Sequence, residues 1–411
     1  MVSDMMGVNK GTNNEYVSNV NRSLIIQYLK KNGVCSRAEL SKALGLTGAS
    51  ISKIMTALID SGIVEEIGYI EGKKGRRSIG LALKTNLYKV IGVKLSRRSF
   101  SVGVFDIGGT IYDHCSEQIE FGSQLVDVFE RIKKAINNYL ERYEDTVVIG
   151  IAVPGPFNKR ESEILLMTEM DEWVNISLKE AFGNTYKIPV IFEHDANAGA
   201  LAEWWFGPHQ IKSTGTMVHF LVGEGVGAGI ISKGNIISGS QGIAGEIGHI
   251  SIDVNGKRCS CGNYGCLEKY CSSLAFLKHV KEELKTKTSS LSKINFLTVE
   301  DVFQAAKNGD ELAITFVKEV AQYIGYGVVT LVNAYNPDII VISNIMTQGG
   351  DLLLDEVKQI AKERLLDNIY KNTQIVFSEF SSDPTLFGAA AVAIDRVLNQ
   401  PSLFLKNIGG N

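Results

Sequence analysis

No run of the chain approaches the ~18 consecutive apolar residues that a membrane-spanning helix needs. The opening stretch, MVSDMMGVNKGTNNEYV, also lacks the apolar core of a secretion signal. Both absences argue against a membrane or exported protein and set a cytoplasmic location as the expectation. Charge of one sign is scarce too: 42 Lys+Arg stand against 45 Asp+Glu, a net of -3. Cysteine is thin, six in 411 residues, yet Cys259, Cys261 and Cys266 fall close together. In a reducing compartment such clustering points to a metal more than to disulfides.

What remains is ample for a globular protein. At 411 residues, 45% hydrophobic and 21% charged, the chain can form two or three packed units at roughly 150 residues per domain. The near-neutral net charge hides an uneven distribution. Residues 1 to 84 hold 12 Lys+Arg against 7 Asp+Glu, and the rest holds 30 against 38. A modestly basic head on an acidic body suits nucleic-acid contact by the head alone.

The head, NRSLIIQYLKKNGVCSRAELSKALGLTGASISKIMTALIDSGIVEE, carries helical periodicity in three successive pieces. Leu24, Ile25, Tyr28 and Leu29 make one apolar face that stops at Asn32-Gly33. Ser36 and Glu39 form a capping box for a second helix, which buries Leu40, Ala43 and Leu44 and ends at Gly45. Thr47 caps a third helix that buries Ile51, Ile54, Met55 and Leu58. Two short helices joined by a Gly-containing turn make a helix-turn-helix. On the third helix Gly48, Ala49, Ser50, Ser52 and Lys53 point outward, small or polar enough to enter a major groove about 12 Å wide. Ser36, Arg37 and Thr47 flank that face as further DNA contacts. Beyond it lie two alternating strands around a basic turn, whose Lys73, Lys74, Arg76 and Arg77 resemble the wing of a winged helix and would meet phosphates or the minor groove. A helical protein-interaction module with a solvated basic loop is the plainer alternative.

The segment GEIGHISIDVNGKRCSCGNYGCLEKY holds His249, Cys259, Cys261 and Cys266 among glycines and turn formers. One imidazole and three thiolates make a closed tetrahedral zinc site, a staple for a loop with too little apolar content to hold itself. Cys271, in an apolar helical stretch, belongs to the core instead.

With these pieces assembled, the chain resembles the ROK family, which joins bacterial sugar-responsive repressors to sugar kinases on an actin/hexokinase-like fold. The zinc segment matches the family's ligand spacing. GIAVPGPF, EHDANAGALAEWWFG, LVGEGVGAGIISKGNIISGSQGIAGEIGH and LFGAAAVAI add support. The resemblance implies an α/β protein with a winged helix-turn-helix domain over residues 1 to 86. A two-lobed sugar-binding and dimerisation body would fill residues 87 to 411.

Family kinases begin the body with a strand ending in Asp-x-Gly-Gly-Thr, and FDIGGT at Asp106 to Thr110 looks like that phosphate loop. The register says otherwise. A second strand with its own Asp and Gly turn must follow, and the fit comes only if Lys94-Leu95-Ser96-Arg97-Arg98 occupies the phosphate loop and Asp106 to Gly109 is the next hairpin turn. That loop has then lost its carboxylate and glycines, and long side chains stand where backbone must approach phosphate. In VGEGVGAG, Glu224 replaces the usual Thr and would repel a polyphosphate. The adenosine segment carries Ser343 and Asn344 where glycine is normal. Nucleotide binding and catalysis are therefore not expected, though an ATP-dependent sugar kinase with an appended head is the rival reading.

The sugar side is retained. Asp195 matches the residue that serves kinases as base toward the sugar hydroxyl, and Glu246 and Glu268 match hydroxyl acceptors. His249 would orient the sugar while ligating zinc, and His194 stands where kinases place Asn. Asp195 could instead cap the helix that follows it, and Trp173 reads as core. The resemblance thus implies a sugar-responsive repressor, a homodimer or tetramer, that binds double-stranded operator DNA. The sugar is open among xylose, glucose, N-acetylglucosamine and short oligosaccharides.

Overall fold

The computed structural model describes residues 14–71, 77–120, 122–158, 161–165, 173, 176–209, 215–380 and 384–399. Its head begins with α1 (Asn14–Asn32), which buries Ile25, Ile26 and Leu29. The two-residue strand β1 (Cys35–Ser36) leads into α2 (Arg37–Leu44), whose Ser36/Glu39 capping box forms and which ends at Gly45 with φ of 66°. Thr47 accepts from the Ser50 amide and starts α3 (Gly48–Asp60), which buries Ile51, Ile54, Met55 and Leu58. Ala43 differs from expectation: it is exposed, because an eight-residue helix meets the core only along its Leu40 and Leu44 line. The hairpin β2 (Val64–Glu71) and β3 (Arg77–Leu83) then pairs with β1 in the order β1-β3-β2, completing a winged helix.

β3 ends at Leu83, and the body opens at Lys89. Strands β4 (Lys89–Leu95), β5 (Ser99–Asp106) and β6 (Ile111–Gln118) form an antiparallel meander. The amphipathic α4 (Leu125–Arg142) covers it with Val128, Phe129, Ile132 and Ile136. β7 (Thr146–Val153), TVVIGIAV, is buried throughout, as a parallel strand covered on both faces must be. The short pair β8 (Phe157–Asn158) and β9 (Glu163–Ile164) follows, then β10 (Val190–His194) and α5 (Asp195–Phe206). The first sheet runs β10-β7-β4-β5-β6.

The second lobe repeats this topology. Meander β11 (Thr216–Val222), β12 (Val226–Ser232) and β13 (Asn235–Ile236) is followed by helices α6 (Glu268–Cys271), α7 (Ser273–Glu283), α8 (Val299–Lys307) and α9 (Glu311–Tyr335). Next come β14 (Ile339–Ser343), α10 (Gly350–Arg364), α11 (Asp367–Asn372), β15 (Gln374–Phe377) and α12 (Pro384–Asn399). The sheet order β13-β12-β11-β14-β15 mirrors that of the first lobe strand for strand.

Small residues let the lobes meet. A Cβ at Gly388 on α12 would lie 2.5 Å from the Ala198 carbonyl carbon on α5, and one at Gly150 would lie 2.1 Å from the Ala389 oxygen. Each lobe has its own apolar core, and a third core runs from α1 and α3 through α5 to α12. The head is therefore packed onto the body, and Tyr88 adds a hydrogen bond to the Ser61 oxygen at 2.7 Å. Trp173 is buried edge-to-face against Phe129, and Cys271 is buried, both in the core as read.

Candidate effector cleft, metal centre and DNA-facing helix

The two phosphate-like segments resolve as the register requires. Asp106 to Thr110 is the β5–β6 turn, where the buried Asp106 carboxylate accepts from the Gly108 and Thr110 amides, each at 2.9 Å. Residues 96 to 98 form the β4–β5 turn at the mouth of the interlobe cleft. The cleft encloses about 620 Å³, within the range of small-molecule sites.

Its floor gathers the carboxylates that the sequence singled out. Asp195 opens α5 directly after β10, so a strand end and a helix start together fix its position. The N-cap of α5 is His194, without a side-chain cap bond, so Asp195 is not occupied as a cap. His194 Nε2 lies 3.2 Å from Asp195 Oδ1 and 4.0 Å from Glu246 Oε1. Glu246 Oε1 is buried without a hydrogen bond. Burial pushes the Glu246 carboxyl up; His194 and His249 pull it down, while Asp195 and Glu268 push it further. Glu268 starts α6 and accepts from the Val226 amide at 3.1 Å. A buried carboxylate oxygen without a partner on a cavity wall is suited to accept from a ligand hydroxyl. His194, Asp195, Glu246, His249 and Glu268 all line the one cavity.

Two residues behave unlike the sequence reading. Ser343 faces the interior, where its hydroxyl meets His219 Nε2 at 2.6 Å, so only Asn344 of that pair lines the cleft. His219 also contacts the Ala196 oxygen at 3.0 Å, and burial takes its pKa down to about 4. Lys94, treated in the sequence only as a lost carboxylate, is a cleft residue in the field of Asp195 and Glu224. Its alternation on β4 was the signal: Val93 and Leu95 point inward on the opposite face.

Beside the cleft, the ligand atoms of His249, Cys259, Cys261 and Cys266 lie within 4.8 Å of one another, close enough for one metal ion to be held among them. Cys259 Sγ is 3.7 Å from His249 Nδ1, and Cys261 Sγ is 3.6 Å from Cys266 Sγ. Zn–S bonds of about 2.3 Å in a tetrahedron give edges of roughly 3.8 Å, so the donor set and its spacing fit zinc. Burial opposes ionisation of Cys259, yet hydrogen bonds from Cys261, Cys266 and His249 bring its thiol to about 7. Burial and the neighbouring thiols push Cys266 up to about 12.

On the head, Thr47, Gly48, Ala49, Ser52 and Lys53 are exposed, and Ser50 is half-buried. Ser36 is corrected: it is buried, its hydroxyl held by Glu39 in the capping box, and so does not face DNA. Arg37 pairs with Glu66 of the wing at 2.8 Å, and Arg77 opens β3 exposed. Lys73, Lys74 and Arg76 lie outside the described residues.

Residues 90–396 match the ROK family, and residues 19–65 match the winged helix-turn-helix DNA-binding family. The chain belongs to the ROK family. Among ROK relatives, the xylose repressor of Caldicellulosiruptor bescii is 30% identical over 397 residues, spanning 95% of this chain and 99% of the relative. The DNA-binding transcriptional dual regulator NagC of Escherichia coli K12 is 29% identical, spanning 94% and 95%. Of solved ROK structures, a transcriptional regulator homologous to the E. coli MLC protein superposes with TM-score 0.79 at 28% identity, covering 96% of this chain and all of that one. A ROK glucokinase from Streptomyces griseus, in complex with glucose and AMPPNP, gives TM-score 0.66 at 25% identity. That match covers 74% of this chain and 99% of the glucokinase.

Proposed function

We propose that this chain is a sugar-responsive transcriptional regulator, a repressor of carbohydrate-utilisation genes that a sugar effector releases from operator DNA. The observation that carries the reading is the joining of an exposed, small-residue recognition helix to a carboxylate-lined cleft in one continuous core. The full-length relatives named as repressors support it.

In this reading α3 enters the major groove with Gly48, Ala49, Ser50, Ser52 and Lys53, and the wing with Arg77 holds phosphates. Two copies in a homodimer, or a tetramer built from it, read half-sites a helical turn or a multiple apart. Asp195, Glu246 and Glu268 accept from sugar hydroxyls, each charge-assisted bond contributing about 1.5–3 kcal/mol. His194 donates from the cleft side. His249, Cys259, Cys261 and Cys266 would hold zinc, which would supply rigidity rather than chemistry and fix the loop between Glu246 and Glu268. No helix among the described residues is long and apolar enough to cross a membrane, which agrees with a regulator working in the cytoplasm.

The kinase alternative draws on the glucokinase likeness. Against it stand long cations in one phosphate segment and a carboxylate in the other, together with the repressor relatives. The test is fluorescence anisotropy on DNA from upstream of the gene, at fixed salt, with a panel of neutral and amino sugars. One sugar is expected to change operator affinity saturably, and Asp195→Ala to bind operator normally while losing that response. A normal sugar response in Asp195→Ala, or phosphoryl transfer from ATP to the sugar, contradicts the proposal.

A further inference from the structure

Two turns approach each other across the cleft from opposite lobes. The β4–β5 turn is closed by a Ser96 amide to Ser99 oxygen bond at 2.9 Å, and the β11–β12 turn by a Gly223 amide to Gly225 oxygen bond at 2.9 Å. Between them Arg97 Nη1 donates to the Glu224 backbone oxygen at 3.4 Å, across 127 residues of sequence. Arg98 Nε lies 3.6 Å from Glu224 Oε1. Lys94 sits deeper; burial pulls its ammonium below the usual lysine range, and the fields of Asp195 and Glu224 oppose that pull.

These four residues are also the positions where the two phosphate-binding segments depart from the kinase pattern. One segment has gained cations and the other an anion, and the two face each other. Independent decay of two motifs gives no reason for opposite charges to meet. A cross-link between lobes does: a bound nucleotide would touch both turns, and an ion pair joins the same two turns without it.

We propose that Arg97, Arg98 and Glu224 form a clasp, one hydrogen bond and one ion pair, that joins the lobes in place of a nucleotide, so that sugar alone suffices to close the cleft. The proposal rests on reading the cleft as the sugar site. The clasp residues are positioning residues, and their pairing is partly exposed, so it responds to salt.

The experiment is amide hydrogen exchange at Ser96 and Gly223 in the full-length, sugar-free protein, together with sugar titration by calorimetry without ATP. Glu224→Arg is expected to speed exchange at both turns and to weaken sugar binding, by about two- to fivefold for a partly exposed pair. Glu224→Arg combined with Arg98→Glu is expected to restore both, an outcome that a merely structural role for Glu224 does not give. Should Glu224→Arg fail to fold, Glu224→Gln carries the same expectation with a smaller effect. Unchanged exchange in Glu224→Arg, or no restoration by the reversed set, overturns the clasp. Exchange that responds and is restored, in a protein that binds no sugar, keeps the clasp and overturns the sugar reading instead.

Discussion

Glu203 is 1% exposed on α5, and burial raises its pKa to about 7. An unfolded glutamate titrates near 4.5, so between those values the folded chain holds the proton more tightly. Stability from this group is therefore present at low pH and is lost as pH rises from about 4.5 through 7. Glu203→Gln keeps the shape and removes the titration. Its melting temperature is expected to exceed that of the parent at pH 8 by a margin worth up to about 3 kcal/mol, and to approach it at pH 5. Equal melting shifts at both pH values contradict this account. Glu203 was not legible in the sequence, where it reads as one charged residue in ALAEWWFG. Its burial is produced by distant segments, such as α12, whose Asp395 accepts from the adjacent Trp205 at 3.1 Å. The candidate metal ligands were legible because four donors fall in one short stretch whose turns bring them together.

At the scale of elements, the head was readable because capping boxes, Gly stops and apolar faces are local signals. Ala43 and Ser36 show the limit: periodicity assigns a face, but only packing says how much of a short helix reaches the core. The repeated lobe topology was implied by resemblance alone, since pairing β4 with β7 joins residues more than fifty positions apart. The loop from His249 to Glu268 tests the element scale directly. Its only regular pairings among the described residues are the isolated bridges Ser251–Cys266 and Arg258–Tyr264. Backbone bonds such as Ile252 to Gly265 and Cys259 to Asn263 join its turns, and in the proposed function a metal on the four Cys/His donors would hold the loop and, with it, Glu246 and Glu268. Stripping metal, or Cys261→Ser, is expected to lower sugar affinity at least about tenfold while the far lobe stays folded. Calorimetry together with metal analysis checks this, and full sugar affinity in metal-free protein contradicts it.

For the whole molecule, the question is how a cleft at one end of α5 reaches a head at the other. The helix carries Asp195 at its start and Trp205 and Phe206 at its end, about 16 Å away at 1.5 Å per residue. There Lys30 of α1 places its buried Nζ 3.7 Å from the Phe206 ring centroid and 4.9 Å from that of Trp205, with no hydrogen bond. Phe206 also packs on Gly109, which gives the FDIGGT turn a structural role at the junction of head and body. In the proposed function, a shift of α5 on sugar binding would reach the first helix of the head through this contact. Such coupling is a difference in sugar affinity between the DNA-bound and DNA-free states, and it must be reciprocal. Lys30→Met, which keeps the apolar stem, is expected to preserve both binding events and shrink the factor that links them. The most direct test is calorimetric titration of the effector sugar into free protein and into protein saturated with operator. A change in sugar affinity equal to the change in operator affinity that the sugar causes is the predicted result. Identical sugar affinity with and without operator would contradict the account.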